Sequence, residues 1–494
     1  MMNARKSIRS YWTLAAGWLQ QPSLWRGLLL AILAISVWGS LYLRMKMGVA
    51  ILQVLPLLLV GGLLLIYNTK WVFWLLVASI PISINVELGS LALDVPTEPL
   101  MMAFLLIFLI ELIGGKYVKL NQKVYPFHLW IILIVIWLIV TVLFSDYPTR
   151  SLKFLLSKLW YLAAFIYMGE RFLKNPSDVK TFFWVFFCTM IPIVCAITVE
   201  YSFSGFSFEV SNGVAYPFFV NGVVYGAALV LFLPFVWYAR KWYAAYSWQW
   251  WLLHAAIGLL LFAIVFTYKR GAWLATLALP VVVFLLGRKW LRPAVLVATV
   301  LTTLAIAYLV RDNTFYKFAP TYESTIWHEG NIQGHLDATF SGTEISGVER
   351  FYRWVAAKNM IADKPLIGFG PSTFNQVYKR YADDAFRTYV SDNPEQSTTH
   401  NYFLMTFSEQ GFIGGLLFLG LCIYMVLKAA KYYHLVGREG KLILLMSLLS
   451  LISILLHSAL NELIEVDKIG AMFWLNLLMI HKTQVWYERR EETI

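Results

Sequence analysis

The stretch IILIVIWLIVTVLF, residues 131–144, carries no charge, and stretches like it recur along the chain. A run of roughly 17–25 apolar residues is long enough to cross a bilayer as a helix. Lipid offers no partner to a backbone N–H or C=O, so a spanning segment is a helix or part of a closed barrel. The runs lack the apolar–polar alternation of barrel strands. The spacing predicts about fourteen spans: 25–43, 48–67, 70–86, 97–114, 127–144, 154–173, 181–200, 217–239, 250–267, 271–287, 290–310, 401–427, 441–460 and 467–481. One long polar stretch, about 311–399, separates the last three from the rest. The expected fold class is all-α, a polytopic bundle of 12–14 spans with one large loop holding short helices. Its parts are an N-terminal bundle 1–310, a loop 311–399 and C-terminal helices 400–494.

Composition agrees. The chain is 59% hydrophobic and 14% charged, against about 25% charged in soluble domains. The basic start MMNARKSIRS is not followed by a short apolar core with a small-residue cleavage site, so no cleavable leader is expected. Cys188, Cys195 and Cys422 all lie in apolar runs and read as small core residues. The net charge of +12 follows topology rather than nucleic-acid binding, because the cations fall in alternate connections. Arg240 with Lys241, Arg288 with Lys289 and Arg292, and Lys428, Lys431, Arg438 and Lys441 mark one side. That side is cytoplasmic, both termini with it, and the long loop lies outside. Cations on the other side are exceptions: Arg44 and Lys46, Arg150 and Lys153, Lys269 and Arg270. Charge near the membrane is costly and usually has a partner or a purpose.

Three segments hold chemical potential. In FTYKRGAWLATL, residues 266–277, Arg270 starts a span with Gly271 and Ala272 behind it. Either it snorkels to the lipid interface or its planar fork faces an outward cavity, where it suits phosphate oxygens. In GVERFYRWVAAKNMIADKPLIGFGPSTF, residues 347–374, Phe351, Trp354, Val355 and Ile361 recur at near-helical spacing. Arg350 lies one turn before Trp354 and Arg353 just before it; an interfacial helix and a lid over a lipid-linked phosphate both fit. In TTHNYFLMTFSEQGFIGG, residues 398–415, His400 stands where the loop re-enters the membrane, with Asn401 beside it and Glu409 deeper. A helix cap and a catalytic imidazole are both open. His457, with Asn461 and Glu462 a turn on, is a second-tier candidate. The acidic pairs Asp383–Asp384 and Glu462–Glu465 lack a clustered ligand set, so no metal site is expected. There is no phosphate loop or dinucleotide fingerprint, so no cofactor is expected and any energy arrives in an activated substrate.

Three blocks resemble the bacterial O-antigen ligase and Wzy-type O-antigen polymerase family: Lys269–Arg270–Gly271, the Arg350–Trp354 pattern followed by DKPLIGFG and Phe374, and HNYFLMTFSEQGFIGG. The resemblance covers about residues 200–430. It implies a GT-C-like, metal-independent, inverting glycosyltransferase of the inner membrane with its active site facing the periplasm. The implied donor is a glycan on undecaprenyl diphosphate. The implied acceptor is lipid A–core for a ligase in lipopolysaccharide biosynthesis, or another lipid-linked unit for a polymerase; a protein O-oligosaccharyltransferase is a further relative. Membrane lipids surround it and nucleic acid plays no part. Arg270 and Arg350 match the family's diphosphate-binding arginines and His400 its catalytic histidine; Asn221 matches an asparagine of the family. The arginine expected near Asn221 is absent, leaving Arg150 or Lys153 as substitutes, and Arg353, Asn401 and Glu409 are accessory candidates. A polysaccharide transporter or flippase is the reading from another class, but it would need charges near the bilayer midplane, and the polar candidates here gather at one face.

Overall fold

The computed structural model describes residues 68–88, 91–114, 125–318, 345–383, 391 and 397–492. The expected spans 25–43 and 48–67, and Arg44 and Lys46, lie outside the described residues. Helix α1, Thr69–Ile82, leads into two antiparallel strands, β1 Ile84–Leu88 and β2 Leu91–Val95, with Asn85 opposite Asp94. The span expected at 70–86 is therefore cut short. After Ser83 the sequence alternates, INVEL then LALDV, and a period of two cannot keep one face on a helix. The hairpin is an addition to a fold that is otherwise the predicted polytopic helical membrane protein.

The other helices follow in order: α2 Thr97–Ile113, α3 Pro126–Leu143, α4 Pro148–Phe172, α5 Pro176–Ser202, α6 Gly222–Ala239, α7 Trp248–Phe266, α8 Arg270–Gly287 and α9 Leu291–Val310. The long loop contributes α10 Ile345–Asp363 and the single turn α11 Phe374–Val377. Helices α12 Tyr402–Tyr432, α13 Arg438–Ser458 and α14 Asp467–Glu491 complete the chain. Among the described residues, nine helices are long and apolar enough to span a membrane: α3 to α9, α12 and α13. The boundaries have local causes. Asn175 and Asp178 form a reciprocal cap on α5. The Asn221 side chain accepts from the N–H groups of Val223 and Val224, so α6 starts at 222 rather than 217.

Helix α14 lies at the centre, buried from Asp467 through Val485. Several of its polar groups find partners inside the bundle: Asn476 donates to Ser450 Oγ at 2.8 Å, and Ser83 Oγ donates to Asp467 Oδ2 at 2.5 Å. Around it pack aromatic pairs such as Phe186–Phe232, 4.9 Å apart, and close glycine crossings. A Cβ on Gly226 would sit 3.2 Å from that of Ala272, the small-residue contact that substitutes for hydrophobic driving force in lipid. Helix α9 is the opposite case, exposed over Leu296, Val300 and Leu304, as a lipid-facing helix is.

Antiparallel succession brings alternate connections to the same end. At one end Asp146 N–H donates to Phe369 O at 3.1 Å and Lys158 pairs with Glu465 at 2.6 Å. At the other, Lys180 pairs with Glu439 at 2.7 Å and His434 donates to Leu286 O at 2.9 Å. The described part of the large loop around Phe369 packs on the first end.

Candidate functional site

The site is assembled on a turn that the sequence strains on purpose. His400 has φ of 51°, a left-handed value that a non-glycine residue adopts only when its surroundings impose it. The imposition comes from α10. Trp354 Nε1 donates to Thr399 O at 2.9 Å, and Arg353 Nη1 donates to Thr398 O at 3.2 Å. The same Arg353 nitrogen donates to His400 Nε2 at 2.9 Å. A guanidinium cannot accept, so Nε2 carries the lone pair and the imidazole proton sits on Nδ1. On that side Glu462 Oε2 is 3.6 Å away. Arg353 is itself braced: Glu349, one turn back, lies 3.4 Å from Nη2 and accepts from Ser391 Oγ at 2.6 Å.

These surroundings hold the histidine neutral. Burial pushes its pKa below the ordinary 6.5; Arg353 and Arg350 push it further down, while Glu462 and Glu349 oppose them. Arg350 thus shares the cluster through its field, and Arg353, an accessory candidate from the sequence, makes the direct contact.

Arg270 reaches the same region from another direction. It is the first residue of α8. A Cβ on Gly271 would be 3.5 Å from Leu460 and 4.0 Å from His457 Cδ2. The turn between α13 and α14 therefore has Arg270's helix on one side and, through Glu462, His400 on the other. Glu462 Oε1 also accepts from Thr398 N–H at 3.5 Å. Nothing in the primary pattern singled out Glu462 or Glu349 as partners: both depend on contacts across the fold or inside one helix face.

The remaining candidates take structural positions. Asn401 caps α12, accepting from Leu404 N–H at 3.0 Å. Asn221 caps α6. Glu409 is buried and accepts from the N–H groups of Ser372 and Phe374 at 2.8 and 2.9 Å, so it clasps the DKPLIGFG segment to α12. Gly411 makes that possible: with φ of 69° it interrupts α12, and Phe412 N–H turns to donate to Pro365 O at 2.7 Å. Any Cβ at 411 would collide with Leu366 O. Arg150 stands exposed at the start of α4, its terminal nitrogens 3.0 Å from the Gln376 amide oriented to accept; Lys153 is exposed as well. The cation beside Asn221 is instead Lys269, whose Cε lies 2.9 Å from where a Cβ on Gly222 would be. Burial pulls its ammonium below the usual lysine range.

An apolar crevice, partly open to its surroundings, runs beneath, lined by Trp137, Phe154, Lys158, Tyr402 and Phe418 among others. At the opposite end, His128, Glu170 and His481 bring ligand atoms within 4.8 Å of one another, a group the sequence reading did not foresee. Lys428 lies 3.1 Å from His481 Nδ1, where a metal-binding imidazole normally meets a carboxylate or carbonyl. An ammonium there opposes a metal, and the group reads as a hydrogen-bonded clamp.

A family model described as O-Antigen ligase matches residues 255–419, from within α7 to within α12, and so spans Arg270, Arg350, Arg353 and His400. No curated protein matches the chain. The match supports an O-antigen ligase or polymerase type of function, a glycosyltransferase-like activity with a lipid-linked glycan donor and a glycan acceptor. Residues 255–419 therefore carry a domain similar to O-antigen ligase and Wzy-type proteins, set in a multi-pass helical membrane protein.

Proposed function

We propose that the chain is an O-antigen ligase working at the periplasmic face of a bacterial inner membrane, moving a glycan from undecaprenyl diphosphate to lipid A–core. The observation that carries this reading is the pair Arg353–His400, 2.9 Å apart: an imidazole kept neutral by burial and by cations that also suit a diphosphate. The apolar crevice below supports a substrate carried on a long lipid.

The acceptor hydroxyl attacks the anomeric carbon, and the bond from that carbon to the phosphate oxygen breaks. The hydroxyl proton passes to His400 Nε2, and the diphosphate departs with the electron pair. One displacement inverts the anomeric centre. Negative charge grows on the leaving oxygen, so Arg270 and Arg350 stabilise the transition state more than the ground state. Fixed guanidinium groups supply the charge, and the scheme calls on no metal. Because Arg353 caps Nε2, the acceptor hydroxyl must replace it there. Released, Arg353 adds to the positive field around the diphosphate. Glu462 then faces the imidazolium that forms and stabilises it.

General-base catalysis is worth about 10²–10⁴ in rate, so His400→Ala should reduce transfer by that factor while the protein still accumulates in the membrane. Normal surface glycan in that strain overturns the reading. A deletion strain separates the two members of the family: a ligase leaves polymerised glycan on the carrier lipid, whereas a polymerase leaves single repeats on lipid A.

A further inference from the structure

His457 is buried at 3% exposure near the end of α13. Its Nδ1 lies 2.8 Å from Ser453 O; a carbonyl only accepts, so the proton is on Nδ1 and Nε2 holds a lone pair. Among the described residues, Nε2 has no hydrogen-bond partner. A buried acceptor left without a partner is destabilising, and leucine would fill the space without that cost. The ring edge carrying Nε2 points at the start of α8, with Cδ2 4.0 Å from the Cβ position of Gly271. Gly271 follows Arg270. Glycine there lets the α8 backbone approach the ring, since a Cβ would already stand at contact distance from it.

We infer that His457 is a donor-binding residue whose Nε2 accepts a hydrogen bond from a hydroxyl or amide N–H on the first sugar of the lipid-linked glycan. This rests on the proposed role of Arg270 at the diphosphate. The sugar joined to a diphosphate held by Arg270 lies beside the start of α8, the element that the His457 ring edge meets. A lone pair repels the phosphate oxygens themselves and selects a group with a proton to give. The acceptor sugar is assigned to His400, which meets Glu462 of the turn between α13 and α14.

The test is the purified full chain in lipid nanodiscs, with donor and acceptor concentrations varied separately. His457→Asn keeps a donor for Ser453 O and removes the acceptor at Nε2; His457→Gln returns an acceptor near that position. The expected result is a rise of about tenfold in donor KM for His457→Asn, the worth of one buried hydrogen bond. Acceptor KM and thermal midpoint should stay as in the parent protein, and His457→Gln should recover most of the donor affinity. A donor whose first sugar lacks the hydroxyl should bind the parent and His457→Asn proteins alike. Unchanged donor KM in His457→Asn, or a rise confined to acceptor KM, overturns the inference. If His457→Asn does not fold, His457→Leu, which fills the space without an acceptor, makes the same comparison. His400→Ala run alongside separates the two levels: retained transfer there sinks the proposed function, whereas its loss with a silent His457→Asn sinks this inference alone.

Discussion

At the scale of a residue, His400 is defined by who touches each ring nitrogen. Arg353 on Nε2 and burial disfavour the imidazolium, while Glu462 near Nδ1 favours it. A base works in its neutral form, so transfer should fall as pH drops through a pKa below 6.5, not at it. Removing Arg353 as Arg353→Met takes away a depressing cation, so the acid limb of kcat/KM should move to higher pH. Glu462→Gln removes the opposing carboxylate, so the limb should move to lower pH. Measuring the pH profile of both variants checks the assignment, and a shift in the reverse sense for either removes it. The residue types were legible in the sequence, as was their nearness to one membrane face. Which arginine meets the imidazole was not, because Arg350 and Arg353 are a single turn apart on α10 and only the docking of that helix chooses between them.

At the scale of an element, α12 is a helix that has been broken in order to receive a loop. Gly411 turns its backbone aside, and Glu409 offers both carboxylate oxygens to the N–H groups of Ser372 and Phe374. Glu409→Ala would leave the buried Phe374 N–H unpaired, at about 1–3 kcal/mol, and would release the part-buried Ser372 N–H as well. The expected result is a 364–374 segment that becomes sensitive to limited proteolysis and a fall in transfer with His400 unchanged; Glu409→Gln, which keeps one acceptor, should lie between. A protease-resistant Glu409→Ala protein would return Glu409 to the list of chemical candidates. The GFIGG and IGFG glycines were visible in sequence, but a helical run through 401–427 hid the break. Apolar periodicity does not register one residue with reversed φ.

At the scale of the whole molecule, orientation decides whether the site meets an exported lipid-linked substrate. The proposed orientation, read from the basic connections, puts His400 and Arg270 opposite the cytoplasm, and the structure sets the ends of the helices that carry them on one side of the bundle. With the native cysteines replaced by alanine, Ser204→Cys on the site end should react with a membrane-impermeant maleimide in intact spheroplasts. Ala245→Cys at the other end should react only after permeabilisation. The reverse pattern would put the site in the cytosol and remove the periplasmic reading.

Sequence alone determined that this is a helical membrane protein, because lipid imposes internal hydrogen bonding on any apolar run of spanning length. It also marked where most of the described helices lie and which short blocks hold the chemistry. Tertiary structure alone decided that β1 and β2 replace the end of a span, that α14 is central despite its charges, and that Glu462 and His457 share one turn facing His400 and Arg270. Those facts depend on pairings between residues far apart in the chain. A local pattern of polarity constrains what each segment buries, but not which segment it is buried against.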